Sequence, residues 1–333
     1  MLEILPLDEN NISLILKKAK RNQFQYHEYS DISDEQLKNY FKRRMINILK
    51  SIDSHSFMAV SEDKLLGFIS STKDDFDSEN FGFNCYKITD LLVFSTNYKE
   101  VNLIITKLIS EFEKKLANIT SKFYFSLNLN NNTQNVDYIF NSLIKNDFYY
   151  IHTLITFSSQ KKKFESSFYY PEHNLTIRLA TEMDAPLVAD LAHKSFKFSR
   201  FHMDPFLDDN LASNLLKQSA ENSILKKFVD IMFIAEINNK IVGYYSAKKK
   251  YIKEFEKTVG DAVISAVDSD YRGFGIFSKM DSHLLNWFAD NTDFAEMGTY
   301  LVNYPVHKAW INKGLGLIRG GHQFSKIINK HFK

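Results

Sequence analysis

The chain has 333 residues, 44% hydrophobic and 25% charged, with a formal net charge of +2 at pH 7. That length favours two domains of ordinary size, each able to bury its own core, and the composition excludes a disordered or fibrous chain. Lysines are scattered among acids apart from short blocks at 161–163 and 248–250, so nucleic-acid binding gains no support.

Cys85 is the single cysteine, which rules out an internal disulfide, and no Cys/His cluster has metal-ligand spacing. A reducing, cytoplasmic setting without structural zinc or another metal is expected. The N-terminus turns acidic at once, and no apolar run approaches the length of a membrane span, so membrane insertion is not expected.

In chain order, 3–7 suits a first strand, and 34–49 repeats Leu37, Phe41, Met45 and Leu49 on one helical face. A hairpin follows at 57–70, with Glu62, Asp63 and Lys64 making its turn. A strand at 90–94 leads to a long helix at about 100–118, and the connection between them, 95–99, holds no glycine. Further elements are a strand at 123–129, a helix at 136–145 and a strand at 148–157 rich in aromatic and β-branched residues. Residues 159–174, with Pro171, read as a linker.

The second half opens with a strand at 175–179. Thr181-Glu-Met-Asp184 spells a capping box before a helix through Leu187, Leu191 and Phe196. Another helix is expected at 211–222, then a hairpin at 233–246. This hairpin matches the first without a gap: Phe57, Ala59, Lys64, Gly67 and Ser70 correspond to Phe233, Ala235, Lys240, Gly243 and Ser246. Each copy follows a helical region and precedes a strand-helix unit, so a duplicated fold is expected.

After the second hairpin, a β-branched strand ends at Val267, and Arg272-Gly273-Phe274-Gly275 leads into a helix with Ile276, Met280, Leu284 and Phe288 at four-residue spacing. Lys279, Asp281 and Ser282 lie between these. Glycines there permit close backbone approach, and the first N–H groups of the helix point with its dipole at whatever lies above, as a pyrophosphate requires. An ordinary strand-to-helix turn is the plain alternative. The G-x-G-x-x-G fingerprint and the Walker lysine are absent, which disfavours dinucleotide enzymes and kinases. A strand at 299–302, a short helix at 306–312 stopped by Gly314 and a final strand at 315–324 complete the chain.

This order of elements, with Tyr-Arg-Gly-Phe-Gly-Ile at 271–276 and Asn303 seven residues before an aromatic, resembles the GNAT acyltransferase superfamily. Within it, the sugar-amine N-acetyltransferases of the dTDP-fucosamine type are approached through Asp77-Ser-Glu-Asn-Phe-Gly82, the strand at 148–157, Phe198-Ser-Arg-Phe201, Glu221-Asn222 and Trp310-Ile-Asn-Lys-Gly314. The resemblance covers about 76–324 and implies an α/β, mixed-sheet fold. It implies tandem GNAT-like domains, each a central, mostly antiparallel sheet flanked by helices: a degenerate copy at 1–158 and a catalytic copy at 175–333.

It also implies an acetyl-CoA-dependent N-acyltransferase, with acetyl-CoA or another acyl-CoA as co-substrate. Its pantetheine would pair with the strand at Ala266 and Val267, and its pyrophosphate would sit on Arg272, Gly273, Phe274, Gly275, Ile276 and Phe277. Asn303 matches a family position that touches the cofactor. Phe277 stands where the family usually has glycine or alanine, so its side chain must point away.

Acyl transfer needs a neutral amine, oxyanion stabilisation and a proton for the departing thiolate. The family commonly uses a tyrosine for that proton, and Trp310 occupies its place here. Tyr304 and His307 are substitutes, read otherwise as surface or packing residues; the thiolate, with a reference pKa near ~8.5, could also leave unprotonated. The strand ending at Val267 carries no glutamate, so a water chain would serve as base. Ser199, Arg200 and His202 fall where relatives shape the acceptor pocket. Arg200 suits a sugar-nucleotide phosphate as well as it suits an ion pair with Asp204. The acceptor implied is the amino group of a nucleotide-linked deoxyamino sugar in surface polysaccharide assembly; another primary amine, or a non-catalytic acyl-CoA-binding module, is the alternative. A homodimer is compatible with the sequence.

Overall fold

The computed structural model describes residues 1–160, 174–196 and 199–329. Residues 161–173 of the linker expected at 159–174 lie outside them, as do Lys197 and Phe198; 159 and 160 belong to the last strand of the first half. The first half runs β1 (Glu3–Pro6), α1 (Ile12–Lys18), α2 (Asp34–Lys50), β2 (Ser54–Ser61), β3 (Lys64–Lys73), α3 (Asp75–Phe81), β4 (Asn84–Val93), α4 (Tyr98–Ala117), β5 (Lys122–Asn130), α5 (Val136–Lys145) and β6 (Tyr149–Gln160). The second continues with β7 (Leu175–Leu179), α6 (Ala185–Ser195), α7 (Asp209–Leu225), β8 (Ile231–Ile237), β9 (Lys240–Ile252), β10 (Lys257–Val267), α8 (Ile276–Asn291), β11 (Phe294–Tyr300), α9 (Tyr304–Asn312) and β12 (Gly316–Asn329).

Local chemistry sets several boundaries. Ser33 caps α2 by accepting from the Gln36 N–H, while Gln36 Oε1 accepts from the Ser33 N–H at 2.9 Å. Before α6, Asp184 Oδ2 accepts from the Thr181 N–H at 2.7 Å, and the same carboxylate takes two bonds of 2.8 Å from Arg178. The hydrogen bonds to Arg178 hold the Asp184 carboxyl well below the usual carboxylate range.

The strand expected at 299–302 lies earlier. The last β11 pairing is Tyr300 with Leu154, so Leu301 and Val302 are left in a turn, 47% and 58% exposed. Their apolar, β-branched spelling mimics a strand, but strand pairing decides the element's extent.

Two compact units result, the first comprising Met1–Thr153 with Arg319–Lys333, the second Leu154–Ile318. These differ in extent from the halves read off the sequence because β12 pairs antiparallel with β5 from Gly321↔Asn130 to Asn329↔Lys122. Conversely, Leu154–Gln160 of β6 pairs antiparallel with β11. In each unit one pair of neighbouring strands is parallel, β4 with β5 and β10 with β11, and the hairpins around them are antiparallel.

The duplicated hairpin is geometric as well as verbal. Both turns place two consecutive residues at positive φ, Glu62 and Asp63 in one and Asn238 and Asn239 in the other. Both also carry a bulge directly after the alanine that pairs with glycine, Ala59↔Gly67 and Ala235↔Gly243. In the second unit α8 and Trp310 of α9 pack on one face of the sheet, with Phe233, Tyr245 and Phe157. Helices α6 and α7 cover the other, with Ile234, Tyr244 and Ala266.

Candidate active site

The second unit holds a cleft whose walls are set by strand pairing. Parallel pairing of β10 with β11 is confined to Val259↔Phe294 through Asp261↔Glu296, whereas β9 accompanies β10 as far as Val267↔Gly243. A register shift between Ala262 and Ser265 bends the strand. The end of β10, with Ala266 and Val267, therefore offers a backbone edge on the side where β11 has parted from it.

The turn after Val267 is stiffened by its own side chains. Asp268 accepts from the Asp270 N–H at 3.1 Å and pairs with Lys240 at 3.3 Å. Arg272 donates through Nε to the Val267 carbonyl (3.3 Å) and through a terminal nitrogen to the Ser195 carbonyl (3.4 Å), tying the turn to β10 and to the end of α6. Its own N–H points back to Ser269 O at 3.4 Å. Gly273 and Gly275 have φ of 86° and 75°, a region costly for residues with a Cβ.

Gly275 caps α8 without a side chain, and the first helical bond runs from Lys279 N to Gly275 O. The N–H groups of Ile276, Phe277 and Ser278 thus have no carbonyl four residues back to bond. A Cβ built at Gly273 would meet nothing within 4 Å. An open space above uncapped N–H groups at the positive end of a 16-residue helix fits a pyrophosphate. The Phe277 ring stacks on Tyr245 at 5.5 Å and Ile276 is buried, so neither side chain fills that space; Phe274 is 37% exposed beside it.

Helix α9 begins across the cleft. Asn303 donates to Thr299 Oγ1 at 2.9 Å, fixing the start of α9 to the end of β11, and its carbonyl accepts from the His307 N–H. Tyr304 is 69% exposed, and its ring stands edge-on to His307 with centroids 6.2 Å apart. His307 Nε2 is buried and lacks a hydrogen-bond partner among the described residues, while its ring faces Phe157 at 5.9 Å.

Trp310 is a core residue. Only 2% exposed, it packs on Phe157 at 5.3 Å and donates from Nε1 to Asp281 at 3.1 Å. Lys313 gives the other Asp281 oxygen a 2.7 Å bond and gives Ser278 O another. Asp281 and Ser282, read from the sequence as lying between the apolar positions of α8, are therefore buried. Asp281 follows Phe277 and precedes Leu285 at four-residue spacing. A charge on an apolar stripe was the available signal for this buried group.

Ser199, Arg200 and His202 come together between α6 and α7. His202 is held by Ser199 Oγ at Nδ1 (2.7 Å) and Ser213 Oγ at Nε2 (2.9 Å), and burial lowers its pKa, favouring the neutral ring. It lines an open hollow of about 360 Å³ with His193, Lys194 and Asp209. The Arg200 guanidinium lies over the Phe201 ring at 4.1 Å, and the backbone N–H of Arg200 donates to Tyr300 Oη at 3.0 Å, linking this segment to the end of β11. Nothing in the sequence singled out Tyr300.

The corresponding turn of the first unit is closed by its own groups. Asn97 caps α4 by accepting from the Glu100 N–H at 3.2 Å, Ser95 donates to the Glu100 carboxylate, and Asn135 donates to Ser95 O at 2.6 Å. The start of α4 is thus capped by an amide side chain of the chain itself, whereas α8 has no side-chain cap.

No family model and no curated protein sequence matches the chain. Solved structures do match. A GCN5-related N-acetyltransferase from Sphaerobacter thermophilus superposes with a TM-score of 0.63 at 10% identity, covering 100% of this chain and 97% of that one. A tandem GNAT protein from the clavulanic acid biosynthesis pathway gives 0.51 at 10% identity over 98% of both chains. A glucosamine N-acetyltransferase region of a fungal multi-domain β-N-acetylglucosaminidase gives 0.59 at 9% identity, covering 98% of this chain and 38% of that one. At such identities the likeness is one of fold, and the chain has the fold of the GCN5-related N-acetyltransferases in its tandem form.

Proposed function

We propose that the chain is an acetyl-CoA-dependent N-acyltransferase with one cofactor site, in the second unit, and that it acylates the amino group of a nucleotide-linked deoxyamino sugar in surface polysaccharide assembly. The observation that carries the reading is the uncapped start of α8 behind Gly273 and Gly275, beside the unpaired end of β10. Bound acyl-CoA supplies an activated thioester carbonyl. Residues 273–278 would hold its pyrophosphate on their backbone N–H groups, and Ala266 and Val267 would hold its pantetheine along the β10 edge. Asn303 would order the start of α9 against it.

The hollow between α6 and α7 suits the acceptor. His202, its pKa lowered by burial and both ring nitrogens held by serines, would stiffen the hollow without adding a charge that repels an amine. Lys194 on its lining would bring positive charge for a phosphate, with Arg200 in the neighbouring segment as a further candidate. The resemblance to sugar-amine enzymes favours an amino sugar, and one protein of the same fold is a glucosamine N-acetyltransferase region. With Trp310 buried, Tyr304 and His307 would be the groups to hand a proton to the thiolate. A cytoplasmic location would suit a nucleotide-sugar acceptor.

The decisive experiment is incubation with acetyl-CoA and a panel of dTDP- and UDP-linked amino sugars, following CoA release. Turnover with a member of the panel supports the reading. Turnover only with an amino acid or a polyamine would move the acceptor to another primary amine. The burial of Trp310 at the usual tyrosine position favours the second reading, a non-catalytic acyl-CoA-binding module, for which acetyl-CoA would bind without turnover on any amine.

A further inference from the structure

The face of the sheet turned towards α6 and α7 changes character along β11. Side chains alternate along a strand, and Ala295 and Met297 join Ile155 and Phe157 in the core with α8 and Trp310. Glu296, Gly298 and Tyr300 therefore belong to the opposite face, where β6 sets Ser158, Thr156 and Leu154 across from them. Elsewhere that face is apolar, with Ile234, Tyr244 and Ala266. Glu296 is a carboxylate only 7% exposed, with two hydroxyl residues, Ser158 and Thr156, beside it on β6, a grouping that core packing does not call for.

Gly298 lies between Glu296 and Tyr300, about 7 Å from each along the strand, and is exposed. Nothing in the fold requires a glycine there. Its φ is not positive, it pairs in register with Thr156, and the nearest atoms to a built Cβ are those of Leu154 at an ordinary 3.5 Å. A glycine inside a strand without such a cause marks a close approach to the backbone from outside. The cleft opens at this point, because β10 stops pairing with β11 at Asp261↔Glu296. Tyr300 Oη, accepting from the Arg200 N–H, brings the segment of Ser199 and His202 to the same end of β11.

The first unit has neither feature. Thr72 and Lys248 correspond through the matched hairpins, which sets their partners Lys87 and Asp261 against each other, and in turn the parallel partners Ser126 and Glu296. Two steps on, Asn128 stands in the place of Gly298. The carboxylate and the bare backbone occur only in the unit whose helix start lacks a side-chain cap.

We infer that the acceptor's amine stands over Gly298 and that the Glu296 carboxylate binds it and takes up its proton. This rests on the acyl-CoA reading of the same cleft, and it supplies from β11 the base that the strand ending at Val267 lacks. In the step, the amine lone pair forms a C–N bond to the thioester carbonyl carbon while the C=O π pair moves onto oxygen. The N–H proton passes to the carboxylate, the pair returns, the C–S bond breaks and CoA departs as thiolate. Glu296 then gives its proton to solvent, and the thiolate is protonated through Tyr304, His307 or solvent. The missing side chain at 298 leaves space for the carbon that bears the amine, so this position also sets how bulky that carbon can be.

The test uses protein labelled with ¹⁵N-glycine, which gives one amide signal for each of 11 glycines. The signals of Gly273, Gly275 and Gly298 are identified by their loss in the alanine variants, and Gly298→Ala should fold as the parent does, since its methyl would touch Leu154 at an ordinary distance. CoA without an acyl group is added first, so that nothing turns over, and then each dTDP- or UDP-linked amino sugar of the panel. CoA should move the Gly273 and Gly275 signals, and an amino sugar should then move that of Gly298. In Glu296→Gln the same sugar should bind about 10- to 100-fold more weakly, as loss of a hydrogen bond to a charged group predicts, with affinity for CoA unchanged. Where a sugar is acylated, kcat should fall about 10²- to 10⁴-fold in Glu296→Gln, while Gly298→Ala should raise the acceptor KM about 10-fold. A panel that leaves the Gly298 signal unmoved, or a Glu296→Gln protein with the parent's sugar affinity and kcat, would overturn the inference and leave the acyl-CoA site standing. If CoA leaves Gly273 and Gly275 unmoved, the acyl-CoA reading falls and takes the inference with it.

Discussion

At the scale of single residues, the second unit turns on a buried charge. Asp281 is wholly buried on α8; burial raises its pKa, while Lys313 and Trp310 pull against that by bonding the carboxylate. Removing Lys313 leaves the carboxylate unpaired in the core, and Lys313→Met should cost about 3–5 kcal/mol at neutral pH. A carboxyl whose folded pKa is raised binds more protons in the folded state than in the unfolded one, so its stabilising effect is full at low pH and lost as pH rises through the folded value. The Lys313→Met deficit should therefore be smaller at pH 5 than at pH 8 in urea unfolding; a deficit independent of pH would mean that Asp281 stays protonated or solvated. This network was only half legible in the sequence. The resemblance singled out Trp310, but its partner 29 positions earlier in the chain emerges only when α9 folds onto α8.

At the scale of elements, the glycines divide by cause. At Gly67 a Cβ would lie 2.8 Å from the Leu92 carbonyl and 3.2 Å from Ile104, because α4 crosses the hairpin closely there; Gly243 meets Met280 of α8 in the same way. At Gly273 a Cβ would meet nothing, and only the positive φ matters. Gly67→Ala should thus lose about 1–3 kcal/mol of stability through overpacking and leave CoA binding untouched. Gly273→Ala should lose about 1 kcal/mol and weaken CoA binding, measured by calorimetry on the folded variants. Equal effects of the two on CoA affinity would separate the turn from the cofactor.

Most elements were readable from pattern. Helix α5 and strand β7 fall where periodicity and β-branched runs put them, and the second hairpin was visible through its match to the first. Strand β11 was displaced in the sequence reading because Glu296 and Gly298 interrupt its apolar pattern, although both lie inside the paired strand.

At the scale of the whole chain, the first unit is built from two separate segments, whereas the second is one continuous stretch. Phe324, near the C-terminus, is fully buried in the core of the first unit, against Phe140 and Tyr150, and Lys326 pairs there with Glu113 at 2.6 Å. Phe324→Ala should destabilise the first unit by about 3–5 kcal/mol, and deletion of 319–333 should strip β5 of its β12 partner. Limited proteolysis would then cleave first within 1–153. Cleavage confined to 175–318 would show that β12 contributes to the second unit instead.

By itself the sequence determined the succession of helices and strands, the duplication and the glycine turn, because side-chain periodicity, turn chemistry and φ preference act over a few neighbouring residues. Only the tertiary structure decided that the last strand completes the first unit, that Trp310 and Asp281 are partners in a core, and that an asparagine caps the first helix start while the second stays without a side-chain cap. Those outcomes depend on which distant surfaces bury each other and on which hydrogen-bonding groups are left over when they have done so.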